Sequence, residues 1–211
     1  MKIKTNFTTI LFYFISAVSL FILAMVVSNA TISLLMLIIF SMSLYIGSFY
    51  LQSENKTYSA KIMKISFIIL FITYSIYVSS LLFSNIYFGR DEILNVGINL
   101  IPFKTIFLFL TSASEHTLPN SDILINLLGN LITFIPLSFY LPLFFKKAKK
   151  FSFCILIVTL IIIFIEIMQL LLKCGACDID DLILNVLGAS IFYPVFNNKK
   201  TKKIVERITM F

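Results

Sequence analysis

Residues 151–172 read FSFCILIVTLIIIFIEIMQLLL, an unbroken apolar run with a single carboxylate, Glu166, toward its far end. Crossing about 30 Å of hydrocarbon takes roughly 20 mostly apolar helical residues, so this run reads as a membrane span. Working outward, five more segments fit or nearly fit the same description: Phe7–Val27, Ile32–Leu51, Ile65–Ile86, Ile123–Phe145 and a shorter one at Asp181–Phe196. Barrel strands alternate in polarity over about ten residues, and these runs do not. A backbone in lipid must then satisfy its own polar groups as helix. Composition agrees, with 59% of the 211 residues hydrophobic and 13% charged. An ordinary soluble domain has about 45–50% and 25%, so a soluble enzyme, a disordered tail and a disulfide-stapled secreted module are excluded. The expected fold is all-α: a polytopic membrane protein of about six transmembrane helices.

The net charge of +7 sets an orientation. Lys2, Lys4, Lys56, Lys61, Lys64, Lys146, Lys147, Lys149, Lys150, Lys199, Lys200, Lys202, Lys203 and Arg207 fall on one side of a six-span topology. The other side receives Arg90, Lys104 and Lys173 with Asp91, Glu92, Glu115, Asp122, Asp178, Asp180 and Asp181. Basic excess marks the cytoplasmic face, which places both termini inside and makes the charge topogenic, with membrane lipid and not nucleic acid as its partner. The first span, followed by Ser28-Asn29-Ala30, mimics a signal peptide. Its apolar run exceeds the usual 7–15 residues of such a segment, so it is expected to be retained. Ile93–Thr111 is apolar but interrupted by Asn95, Gly97, Asn99, Pro102 and Lys104. Spanning there would put Lys146–Lys150 outside, so the stretch near 93–111 reads as an interfacial or re-entrant segment on the outer face. The chain divides into an N-terminal helix pair with its cytoplasmic loop (1–64), a membrane domain (65–196) and a basic cytoplasmic tail (197–211).

The polar residues of the membrane domain converge in depth. Glu166 is the one ionisable residue inside a span, and such residues are functional-site candidates by default. At 1.5 Å per residue it lies about 9 Å below the outer edge, with Gln169 on the same helical face at i+3. On the fourth span Asn126 and Asn130 form an i,i+4 pair at about 6 and 12 Å below Asp122. On the last span Asp181 and Asn185 repeat that spacing, and Gly188 extends the stripe. The bland alternative is interhelical glue, worth about 0.6–2 kcal/mol per polar pair. The loop Lys173-Cys174-Gly175-Ala176-Cys177-Asp178-Ile179-Asp180-Asp181 adds three carboxylates at the mouth. Capping of the last helix accounts for one or two of them. Clustered oxygens also suit hard divalent cations, so a cation at Asp178, Asp180 and Asp181 is one expectation, beside a cationic headgroup or a proton relay. No cofactor is identified. Cys174-x-x-Cys177 lacks the βαβ context of redox motifs and reads as incidental cysteines or a local disulfide. Cys154 reads as a small buried hydrophobe and His116 as solvated. The sequence contains no recognised catalytic motif, so whether it is an enzyme stays open.

Four short motifs in order resemble the VanZ-like family of bacterial membrane proteins. They are Asn99-Leu100-Ile101-Pro102-Phe103; Asn126-Leu127-Leu128-Gly129-Asn130 leading to Phe134-Ile135-Pro136; Ile165-Glu166-Ile167-Met168-Gln169; and Asp178-Ile179-Asp180-Asp181 continuing to Asn185 and Gly188. The resemblance covers roughly Ile65 to Phe196. It departs from the family's pattern at Ser138, where Gly is usual. It departs again at Cys174–Cys177, where an Arg is frequent and Lys173, which lacks the bidentate fork, is the nearest cation. The resemblance implies a multi-pass protein of the bacterial cell membrane that acts at the outer leaflet and lowers susceptibility to teicoplanin-type glycopeptides. The implied partners are membrane lipids and a lipid-linked cell-wall precursor or glycopeptide antibiotic. The implied ligand-binding layer comprises Asn99, Asn126, Asn130, Glu166, Gln169, Asp178, Asp180, Asp181 and Asn185. An intramembrane enzyme acting on a lipid-linked precursor and an ion-coupled transporter are the alternatives.

Overall fold

The structure, a computed structural model, describes residues 7–25, 30–51, 56–83 and 97–209. Arg90, Asp91, Glu92 and Asn95, with Lys2, Lys4, Ser28 and Asn29, lie outside these. The chain is a multi-pass helical membrane protein. Four helical stretches among the described residues are long and apolar enough to cross a membrane: Thr57–Phe83, Asn120–Phe144, Phe151–Leu171 and Ile179–Asn197. The first two expected spans are the apolar helices α1 (Phe7–Met25) and α2 (Ala30–Leu51), and the third lies in α3 (Lys56–Phe83).

Two compact units divide the chain, Met1–Val78 with Lys203–Phe211, and Ser79–Lys202. In the first, α1 packs on α2 through small and hydroxyl side chains. Ser16 and Ser43 share a hydrogen bond of 2.7 Å and Tyr13 and Ser48 one of 3.2 Å, and a Cβ on Gly47 would lie 3.2 Å from Phe12 Cβ. Lipid is as apolar as leucine, so helices in it associate by close packing and hydrogen bonds, not by hiding apolar surface.

In the second unit a two-residue strand, β1 (Ile98–Asn99), pairs in parallel with β2 (Cys177–Asp178), and α4 (Lys104–Glu115) follows β1. At 1.5 Å per residue α4 is about 18 Å long, too short to cross, so the interrupted segment does not span. The fourth span is two helices, α5 (Asn120–Thr133) and α6 (Ile135–Phe144), parted at Phe134. The cause is Pro136, which has no N–H for the carbonyl four residues back and whose ring crowds it. A 3₁₀ turn (Lys146–Lys149) leads to α7 (Phe151–Leu171), and α8 (Ile179–Asn197) and α9 (Lys199–Thr209) complete the order.

Helix α8 packs against α5, α6 and α7. Against α5 it comes within backbone distance: a Cβ on Gly188 would sit 1.8 Å from the Leu131 carbonyl oxygen, so only glycine admits this crossing. Ala189, Val158, Ile162 and Cys154 fill the adjoining core. At the lysine-rich end Tyr193 Oη donates to Lys149 O (2.7 Å) and Asn197 Nδ2 to Ser138 O (3.2 Å). Ser138 itself is fully buried and donates to Ile135 O at 2.7 Å, so the unit accommodates a hydroxyl where glycine is usual in the family it resembles.

Candidate functional site

The end of α5, the end of α7, the starts of α4 and α8 and the β1–β2 pair meet at the end of the unit opposite Lys146–Lys150. Helix α7 ends in a Schellman motif: Lys173 takes a left-handed conformation (φ 55°), with Lys173 N donating to Leu170 O and Cys174 N to Gln169 O. This reversal carries the chain back across the helix end and brings β2 beside Glu166. Glu166 accepts the Asp178 N–H at 3.2 Å and is 7% exposed. The nearby charges it feels are those of Asp181 and Asp178, both negative.

The three loop aspartates have different tasks. Asp178 is the N-cap of α8, accepting from Asp180 N at 2.9 Å. It also accepts from Asn99 Nδ2 (3.0 Å) and from Thr105 Oγ1 (2.5 Å). Asp180 is fully buried and caps a different helix, α4, by accepting the backbone N–H groups of Phe103 (2.5 Å), Thr105 (2.7 Å) and Ile106 (3.1 Å). The first N–H groups of a helix have no partner of their own and carry partial positive charge, so a carboxylate fits there. It also holds Phe103 at φ 65°, a conformation that costs a non-glycine residue about 1–3 kcal/mol. Asp181 points to α5 and accepts from Asn130 Nδ2. The oxygens of Asp178 and Asp180 are thus taken up by N–H and O–H donors. Among the described residues no group of three His, Cys, Asp or Glu is placed to hold a metal.

Of the expected layer, Asn99, Glu166, Asp178 and Asp180 are joined by hydrogen bonds to side chain or backbone, and Asn130 pairs with Asp181. Asn126 is not among them: its Nδ2 turns back to Asp122 O on its own helix. Gln169 braces the loop, donating to Leu82 O at 2.9 Å and lying where a Cβ on Gly175 would approach its own Cβ at 3.2 Å. Asn185 Nδ2 donates to Asp181 O at 2.8 Å, and its Oδ1 is buried with no hydrogen-bond partner. Cys174 is buried and Cys177 half-buried, and neither is in a disulfide. Burial, and then the charges of Glu166 and Asp178, push the Cys177 thiol pKa up.

Thr105 escaped the sequence reading. It links α4 to β1, β2 and α8, donating to Asp178 and accepting from Asn99 Nδ2 at 3.0 Å while its own N–H goes to Asp180. The available signal was its place two residues after Phe103 at the start of a helix, where hydroxyl side chains often satisfy backbone or neighbouring polar groups.

A family model described as VanZ/LLP1 matches residues 65–200, more than half of the chain. No curated protein and no solved structure matches it.

Proposed function

The chain belongs to the VanZ/LLP1 family, and from that premise we propose that it works at the outer leaflet of a bacterial cell membrane, where it lowers susceptibility to teicoplanin-type glycopeptides. In this reading both termini are cytoplasmic and the Glu166 layer faces outward. The layer engages a lipid-linked cell-wall precursor or the antibiotic itself. Glu166 supplies a charged contact, and Asn130, Asp181 and Asn185 orient the ligand by hydrogen bonds. Asn99, Asp178, Asp180 and Gln169 hold the frame that positions them.

The observation that carries this reading is the placement of Glu166. A buried carboxylate within a span is expensive, and its neighbouring charges are negative. Glutamine would serve packing at lower cost. The test is Glu166→Gln, expressed to the wild-type level and assayed for teicoplanin susceptibility. Losing a hydrogen bond to a charged group costs about 1.5–3 kcal/mol, roughly ten- to a hundredfold in affinity, so protection should largely disappear. Protection equal to wild type removes Glu166 from the function.

A further inference from the structure

Helix α8 places an amide among aliphatic neighbours: Leu182, Ile183, Leu184, Val186 and Leu187 surround Asn185 in the sequence. Asn185 is 3% exposed, and its Oδ1 is buried without any donor. A buried unsatisfied acceptor costs about 1–3 kcal/mol, and a leucine here would remove that cost. On α7, which packs against α8, Glu166 adds a carboxylate that accepts one backbone N–H, at 3.2 Å. The charges around it are negative. The site is therefore rich in acceptors and negative charge and short of donors. The group that complements it carries several N–H donors and a positive charge on one small centre.

We propose that Glu166 and Asn185 Oδ1 together receive a primary ammonium group, either from the headgroup of an aminophospholipid or from a soluble amine. A quaternary ammonium has the charge but no N–H, so it leaves Asn185 Oδ1 unsatisfied. A divalent metal is a poorer match, because Asp178 and Asp180 are already engaged with backbone and hydroxyl donors. This proposal rests on reading the Glu166 layer as a ligand site, and it names the chemistry of that ligand.

The test uses the full-length protein in phosphatidylglycerol nanodiscs doped with either phosphatidylethanolamine or phosphatidylcholine, with retained lipid counted by native mass spectrometry. Phosphatidylethanolamine should be retained about tenfold over phosphatidylcholine, the worth of one charge-assisted hydrogen bond. Glu166→Gln and Asn185→Leu should abolish that preference. Asn185→Leu without ligand should unfold at the wild-type temperature or above, as relief of an orphaned acceptor requires. Asn185→Asp, which keeps the acceptor, should preserve the preference and serves if the leucine variant fails to fold. Ethanolamine, titrated against choline, separates the sources: displacement of the lipid by ethanolamine alone assigns a soluble amine, and no displacement assigns the headgroup. Equal retention of the two lipids, with ethanolamine no better bound than choline, overturns the proposal, as does a preference that survives Asn185→Leu. An amine preference combined with teicoplanin protection that ignores Glu166→Gln upholds the ammonium site and discards the resistance reading. Glu166-dependent protection without an amine preference does the reverse.

Discussion

Asp180 holds three backbone N–H groups of another helix, 74 to 77 residues away in sequence, in a site with no solvent exposure. Replacing it with asparagine puts an NH₂ donor where an acceptor is needed and leaves at least one N–H unpaired. Asp180→Asn should lower stability by about 1–3 kcal/mol. Hydrogen exchange should speed up at the amides of Phe103, Thr105 and Ile106 and stay unchanged at the lysine-rich end of α8. A second prediction concerns Cys177. A raised thiol pKa means less thiolate at a given pH, and the thiolate is the nucleophile. Alkylation of Cys177, followed by mass spectrometry from pH 7 to 10, should therefore lag behind an ordinary cysteine and accelerate only at higher pH. Part of the upward push comes from the Glu166 charge, so Glu166→Gln should speed the reaction at fixed pH. A rate unaffected by that substitution would indicate a neutral Glu166.

Among the elements, the crossing of α5 and α8 decides whether Asn130 can reach Asp181. Gly188 allows it because the Leu131 carbonyl occupies the place of a side chain. That obstacle is backbone, so it cannot rotate away as a flexible side chain would. Gly188→Ala should cost about 1–3 kcal/mol or more, read as a lower unfolding temperature in detergent, and should separate Asn130 from Asp181. Gly129, one residue before Asn130, is a built-in control: a Cβ there meets nothing within 4 Å, so Gly129→Ala should leave the unfolding temperature close to wild type. The i,i+4,i+7 stripe of Asp181, Asn185 and Gly188 was readable from spacing alone. That Leu131 stands opposite the glycine was not, because interhelical register is a property of two surfaces.

For the molecule as a whole, the run of α5–α6, α7 and α8 puts the Glu166 layer and the Lys146–Lys150 turn at opposite ends of one unit. With the lysines cytoplasmic, single cysteines introduced at Ser114 and at Lys149 in a cysteine-free background should differ. An impermeant maleimide should label the first in intact cells and the second only after permeabilisation. The reverse result would turn the Glu166 layer toward the cytoplasm and remove the outer-leaflet reading. Asn130 meets Asp181 although residue counting sets one about 12 Å deep and the other at the mouth, and Asn126, at a similar counted height, bonds within its own helix. Height can be counted along a sequence, but the direction in which a side chain leaves its helix depends on the neighbour it meets.

That the chain is helical and built for lipid, where its spans lie, which family it resembles and which segment fails to cross can all be read from the residues alone. Those are consequences of run length, charge asymmetry and short local motifs, all of them local along the chain. The three-dimensional fold was needed to show that Asp178 caps its own helix while Asp180, two residues on, caps another. It likewise decided that Pro136 parts one span into two helices, and that Asn185 keeps an acceptor unmatched. Hydrogen-bond partners more than 70 residues apart, as for Asn99 with Asp178, are chosen by how helices dock, and apolar runs that satisfy the same membrane can dock in many registers.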